Sequence, residues 1–206
     1  MREALVDRRV ESVIAVARRP LPHAHQKLQT VVLKDFSDFE PLATRLADVD
    51  VVLCALGISW YQAKGETAYR RITHDYVMAC ARTASVANAA ARFCFVSGGG
   101  ASATSSQAWA RIKAETEKDL ASTFGSRLTV FRPGYIHPAY GRETPYWGDT
   151  VMRPFMPFRS FLAGWITDSR QVARAVLYAA TGGMVSSPAG NREIIAAATA
   201  YENRGR

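Results

Sequence analysis

Glycine comes late in this chain, cysteine is scarce and long hydrophobic runs are absent. The sequence holds 14 glycines in 206 residues, yet the first is Gly57. A phosphate loop of the GxxGxxG kind therefore cannot lie before or directly after the first strand pattern. The longest nearly apolar stretch, Val49 to Ile58, contains Asp50. It has about half the length a membrane-spanning helix needs, which excludes a span there. The opening Met-Arg-Glu-Ala-Leu-Val-Asp-Arg-Arg lacks the apolar centre and small-residue cleavage site of a secretory signal, so the expected location is the cytoplasm. The three cysteines, Cys54, Cys80 and Cys94, form no CxxC pair. An odd number of widely spaced cysteines in apolar surroundings argues against a disulfide framework and a zinc site, and predicts buried thiols. Acidic residues are outnumbered, 18 against 26 Lys and Arg, for a net charge of +8. That sign favours anionic partners. The positive residues are dispersed and accompany no recognised motif, so nucleic acid is not the expected one.

The residues present fit one packed domain covering 1–206: 48% are hydrophobic and 21% charged, with no low-complexity tract. Apolar, largely β-branched or aromatic runs predict strands over Ser12 to Ala17, Thr30 to Leu33, Asp50 to Leu56, Arg92 to Ser97 and Arg127 to Arg132. Such runs suit strands covered on both faces, as in a parallel sheet between helix layers. Helical spacing predicts helices over Asp38 to Ala47 after the N-cap Ser37, over Glu66 to Asn88, over Ser106 to Ser122, and over Asp168 to Ala180 after Thr167. The βαβ order predicts an α/β, Rossmann-like doubly wound parallel sheet whose ligands bind beyond the carboxyl ends of the strands. From Pro133 to Ile166 the pattern turns to Pro, Tyr, Trp and Phe. This segment reads as a substrate-side cap, or else as a hydrophobic cover for a sheet edge. Asn191 to Tyr201 reads as a surface helix.

A nucleotide-binding domain of this class opens with a strand, a glycine-rich turn and a helix whose N-terminus holds pyrophosphate. This chain instead enters at what reads as the end of a helix, Arg2 to Arg8. The expectation is an N-terminally truncated fold lacking the first strand and phosphate loop, on the order of 15 to 20 residues. In the usual strand order that strand lies between the first visible strand and the Asp50 strand, so its loss predicts two unpaired edges.

Several pieces occur in order at strand ends and helix starts: VIAVARRP (Val13 to Pro20), KDF (Lys34 to Phe36), VDVVLCALGIS (Val49 to Ser59), TAYRRITHDYV (Thr67 to Val77), FCFVSGGGA (Phe93 to Ala101), WARIKAETE (Trp109 to Glu117) and FRPGYI (Phe131 to Ile136). Together they resemble an atypical member of the short-chain dehydrogenase/reductase superfamily, close to bacterial NAD(P)H-binding and NAD-dependent epimerase/dehydratase-like proteins. The resemblance implies an NAD(P)-dependent oxidoreductase or epimerase/dehydratase-like protein acting on a small molecule. Arg18 and Arg19 follow the first visible strand, where an arginine can accommodate the 2′-phosphate of NADP; NADP is the expected cofactor, with NAD possible. The resemblance places Asp35 and Phe36 at the adenine, although an Asp-Phe turn with Phe36 in the core serves the sequence equally. Ala55, Leu56 and Gly57 end the next strand, where small residues allow close backbone approach to the ribose and pyrophosphate. Pro133, Gly134 and Tyr135 follow the last strand, at the nicotinamide end.

Ser97 is the serine that orients a substrate carbonyl in the resembled superfamily, and a Tyr-x-x-x-Lys pair supplies the proton donor and its lysine. Here that pair reads Trp109-Ala110-Arg111-Ile112-Lys113. Ser97 and Lys113 are the catalytic candidates. Indole cannot give up a proton at useful pH, so Trp109 cannot be acid or base. Tyr135, Tyr61 and His74 are candidate substitutes, each also explicable structurally. An enzyme without its tyrosine, a non-catalytic dinucleotide-binding sensor and an inactive truncated fragment all stay open. Arg132 is expected to pair with Glu115 or Glu117. No metal site is expected.

Overall fold

The computed structural model describes residues 1–141 and 164–204. A short helix α1 (Arg2–Val6) leads into strand β1 (Val13–Ala17) and strand β2 (Leu28–Val32). A 3-10 turn (Glu40–Leu42) passes into α2 (Ala43–Leu46), then β3 (Val51–Cys54). Helix α3 (Glu66–Arg70), a π turn (Arg71–Asp75) and α4 (Tyr76–Ala87) run on to β4 (Arg92–Val96). Next come α5 (Ala108–Phe124), β5 (Leu128–Phe131), β6 (Tyr135–His137), β7 (Ile166–Asp168), α6 (Ser169–Ala180) and α7 (Asn191–Arg204).

All strand pairing is parallel. β4 is the middle strand, with Val51 opposite Arg92 on one side and Phe93 opposite Leu128 on the other. Side chains alternate across a strand, so Phe93 and Phe95 face one helix layer and Cys94 the other. The first face packs with Val77, Ala81, Leu120 and Phe124 of α4 and α5. The opposite face packs with Val172, Ala175, Val176, Ile194 and Ala197 of α6 and α7. This two-sided burial of β4 and β5 makes the α/β architecture doubly wound.

β1 pairs with β2, and among the described residues neither bonds to β3. Val16 and Val31 pack instead on Phe39, Leu42 and Ala79, so α4 spans both sheets. The expected edges are thus unpaired in this structure. A consequence corrects the expectation of strands covered throughout: every β1 residue is only half-buried, and Val32 and Leu53 stand 45% and 46% exposed.

Helix boundaries differ for identifiable reasons. The segment expected from Asp38 after a Ser37 cap begins instead at Glu40 with Phe39 at the N-cap position, and Asp38 accepts from the Glu40 amide at 2.9 Å. The expected helix Glu66 to Asn88 runs unbroken to Ala87 but widens into a π turn at Arg71–Asp75, where the Thr116 hydroxyl contacts the Thr73 carbonyl at 3.4 Å. Asp168 caps α6 through a reciprocal box with Gln171. The C-terminal helix lies at the surface as expected, with Arg192, Glu193 and Thr199 exposed, and buries one face through Ile194, Ala197 and Ala198. Strands β6 and β7 have no counterpart in the sequence reading; at three residues each they carry too little periodicity to stand out. Of the proposed cap, 142–163 lies outside the described residues. Cys54 and Cys94 are buried and Cys80 partly so, all as free thiols.

Candidate active site

The β4 and β5 ladder extends past its strands: the Ser97 amide donates to the Phe131 carbonyl at 2.8 Å and the Gly99 amide to Pro133 at 2.7 Å. This brings the turn Ser97 to Gly100 beside the start of α5. Gly100 has φ +98°, and a Cβ there would meet the Trp109 ring at 3.1 Å. A Cβ on Gly98 would lie 3.3 Å from the Lys113 stem. The glycines therefore let the turn lie against two side chains that four-residue helical spacing puts on one face.

Trp109 and Lys113 join Ile58, Ser59, Trp60, Tyr61, Tyr69, Gln107 and Ala108 around a cleft of about 570 Å³. The Trp109 indole N–H donates to the Gln107 side-chain oxygen. Burial lowers the Lys113 pKa, partly offset by the nearby Glu117 carboxylate. Among the described residues the Lys113 ammonium has no hydrogen-bond partner, and the buried Ser97 hydroxyl has none either. Ser97 is not part of the cleft wall. Glu117 is held by Arg132, whose Nε lies 3.1 Å from both carboxylate oxygens. Of the two acids expected for Arg132, Glu117 is its partner; Glu115 pairs with Arg70 at 2.7 and 2.5 Å.

The substitute acids separate clearly. Tyr61 lines the cleft but is 76% exposed. His74 lies in the π turn, 2.7 Å from Asp75 and 2.9 Å from Asp119, outside the cleft wall. With Glu115 and Asp119 it forms a cluster whose ligand atoms fall within 4.8 Å of one another. Tyr135 belongs to β6, opposite Ile166, and is not in the wall. Tyr69 is the residue that sequence reasoning missed as a site component. Its helical spacing marked only an inward face, yet the buried ring stands edge-on to Trp60 at 5.2 Å inside the cleft.

Arg18 and Arg19 follow β1, both exposed and without a partner among the described residues. Asp35 accepts from the Ser37 amide at 2.8 Å and hydroxyl at 2.6 Å, contacts that lower its pKa. Phe36 packs edge-on against Phe39 at 5.5 Å and beside Tyr76, in the β1–β2 core. Ala55 and Gly57 are exposed after β3, while Leu56 packs on the α4–α5 core. A Cβ on Gly134 would collide with the Trp165 carbonyl at 2.5 Å, and its amide donates to Asn191 at 2.8 Å. Gly134 is therefore required by packing alone. Among the described residues no glycine-rich turn follows β1.

The same fold recurs in known proteins. The chain is 17% identical to a short-chain dehydrogenase from Burkholderia cenocepacia solved with NADP, at TM-score 0.63, covering 95% of this chain and 84% of that one. A Bacillus cereus UDP-glucuronic acid 4-epimerase solved with NAD matches at TM-score 0.62 and 11% identity, over 99% of this chain and 78% of that one. Both share the Rossmann-like fold. By sequence, rat Protein HTATIP2 is 27% identical over 95% of this chain and 79% of its own length. Protein FMP52, mitochondrial, from Eremothecium gossypii is 30% identical over 60% of this chain and 54% of its own length. A family profile described as NAD(P)H-binding matches residues 1–146, the span that carries β1 to β6, Ser97 and Lys113. The chain belongs to the NAD(P)H-binding family.

Proposed function

We propose that the protein is an NADP-dependent oxidoreductase, or an epimerase/dehydratase-like enzyme, acting on a small molecule in the cleft at Lys113. The carrying observation is the buried Ser97 hydroxyl, which has no hydrogen-bond partner among the described residues and lies in the turn that packs on the half-buried Lys113 of α5. A buried donor left without an acceptor costs about 1–3 kcal/mol, which a ligand oxygen relieves. Lys113 and Ser97 hold the nicotinamide ribose and substrate oxygen, and Arg18 and Arg19 hold the 2′-phosphate. Asp35, Phe36, Ala55, Leu56, Gly57, Pro133, Gly134 and Tyr135 line the rest of the cofactor path. The dinucleotide supplies the hydride when bound. The chain works as a single domain in the cytoplasm, although relatives carry the word mitochondrial in their names.

Trp109 favours a second reading, a dinucleotide-binding sensor without catalysis, because an indole supplies no proton. The test is a titration of the chain with NADPH and NADH, followed by turnover with carbonyl substrates. NADPH binding tighter than NADH, reduced about tenfold or more when Arg18 or Arg19 becomes alanine, fits the loss of a charge-assisted bond. Equal affinity for both dinucleotides overturns the NADP assignment. Tight binding without turnover selects the sensor, and no binding removes both readings.

A further inference from the structure

We propose that His74, Glu115 and Asp119 form a binding site for a divalent transition-metal ion of the Zn²⁺ class, between the π turn and α5 and outside the cleft. One ligand atom from each of the three residues falls within 4.8 Å of the others. Glu115 and Asp119 stand four apart on α5, which puts both carboxylates on one helical face, and the widened turn Arg71–Asp75 presents His74 to that face. The donors are one imidazole nitrogen and two carboxylate oxygens. Mg²⁺ and Ca²⁺ take oxygen ligands, whereas Zn²⁺ accepts both donor types.

The His74 ring, 12% exposed, points to the ion. Its Nδ1 lies 2.7 Å from Asp75 and its Nε2 2.9 Å from Asp119. A neutral imidazole has one N–H, so it donates to one of these carboxylates and turns a lone pair on the other. A cation between Nε2 and Asp119 removes that conflict. Asp75 then accepts from Nδ1–H and fixes the tautomer, the outer-carboxylate arrangement common to metal-bound histidines. Charge agrees. Asp75, Glu115 and Asp119 carry −3 against +1 from Arg70, whose guanidinium holds Glu115 at 2.7 and 2.5 Å. A neutral ring leaves this group at −2, which a dication cancels. A carboxylate has about four lone-pair positions, so Glu115 keeps one for the ion while bonded to Arg70. His74 is 45 residues from Asp119, so no ligand spacing in the sequence announces the site. The ion ties the turn that follows Tyr69 to the helix that carries Trp109 and Lys113, bracing two walls of the cleft.

The experiment is titration of the full chain, stripped with EDTA and without dinucleotide, with Co²⁺ followed by its visible d–d absorption and with Zn²⁺ followed by calorimetry. The expected result is one ion bound per chain, with a rise in Tm on adding Zn²⁺. His74→Ala abolishes both, and Asp75→Ala, which removes no ligand, weakens binding about 10- to 100-fold. Circular dichroism shows that each variant is folded; if His74→Ala fails to fold, the isosteric Asp119→Asn loses most of the binding instead. Changing the exposed His23 and His25 to alanine leaves it intact. No saturable binding below about 1 mM overturns the proposal and gives the second ring nitrogen to a proton. Binding that survives His74→Ala overturns it too, as does a thiolate-to-cobalt charge-transfer band, which assigns the ion to a cysteine. No dinucleotide takes part, so neither result bears on the redox reading of the cleft.

Discussion

At the residue scale, the exchange at position 109 decides the chemistry. Trp109 occupies the helical position four before Lys113, and its indole N–H donates a hydrogen bond but does not ionise at useful pH. General acid catalysis contributes about 10² to 10⁴-fold. Trp109→Tyr is therefore expected to raise NADPH-linked reduction of saturated ketones by about that factor, read as the initial rate of NADPH consumption. No change in rate means that the proton comes from elsewhere, with Tyr61 the next residue to replace. The Lys113 and Trp109 pairing was legible in the sequence because helical spacing is local. The Tyr69 wall was not, because an inward aromatic looks the same whether it meets core or cleft.

At the element scale, helix α1 has only five residues and depends on its connections. Asp7, just after it, accepts from the Arg9 amide at 2.9 Å, from the Arg9 guanidinium at 3.0 and 2.9 Å, and from the Tyr201 hydroxyl of α7 at 2.6 Å. Burial pushes the Asp7 carboxyl up, but these bonds outweigh it and hold the pKa at about 2. A depressed carboxylate adds stability that is complete above its ordinary pKa of 3.8 and is lost as pH falls through about 2. Asp7→Asn is expected to lower Tm near neutral pH, with the gap to the unchanged protein closing between about pH 4 and 2 in thermal melts. A gap that stays constant over that range means that Asp7 acts only through shape. The partner Tyr201 lies 194 residues away along the chain, and no local pattern announces such a contact.

At the scale of the whole molecule, the edges of β1 and β3 that find no partner among the described residues are the main liability. Both strands are apolar and half-exposed, which invites pairing with other chains. Total stability is only about 5 to 15 kcal/mol, so a few unsatisfied backbone groups take a large share of it. The 206-residue chain is expected to melt at low temperature or to associate, seen in light scattering and size-exclusion chromatography. A cooperative melt of a monomer well above ambient temperature overturns that expectation.

The sequence alone determined the α/β class and the apolar surroundings of the cysteines, both of which follow from the hydrophobic period that the chain carries locally. For Arg132 it left Glu115 and Glu117 open, and the fold chose Glu117. Only the tertiary structure decided that α4 joins the β1–β2 and β3–β5 ladders, and that one face of α7 packs on the β4–β5 side. It alone joined Trp60, Tyr69 and Trp109 around Lys113. Those outcomes depend on contacts between residues far apart in the chain, where packing selects among arrangements that local pattern leaves equal.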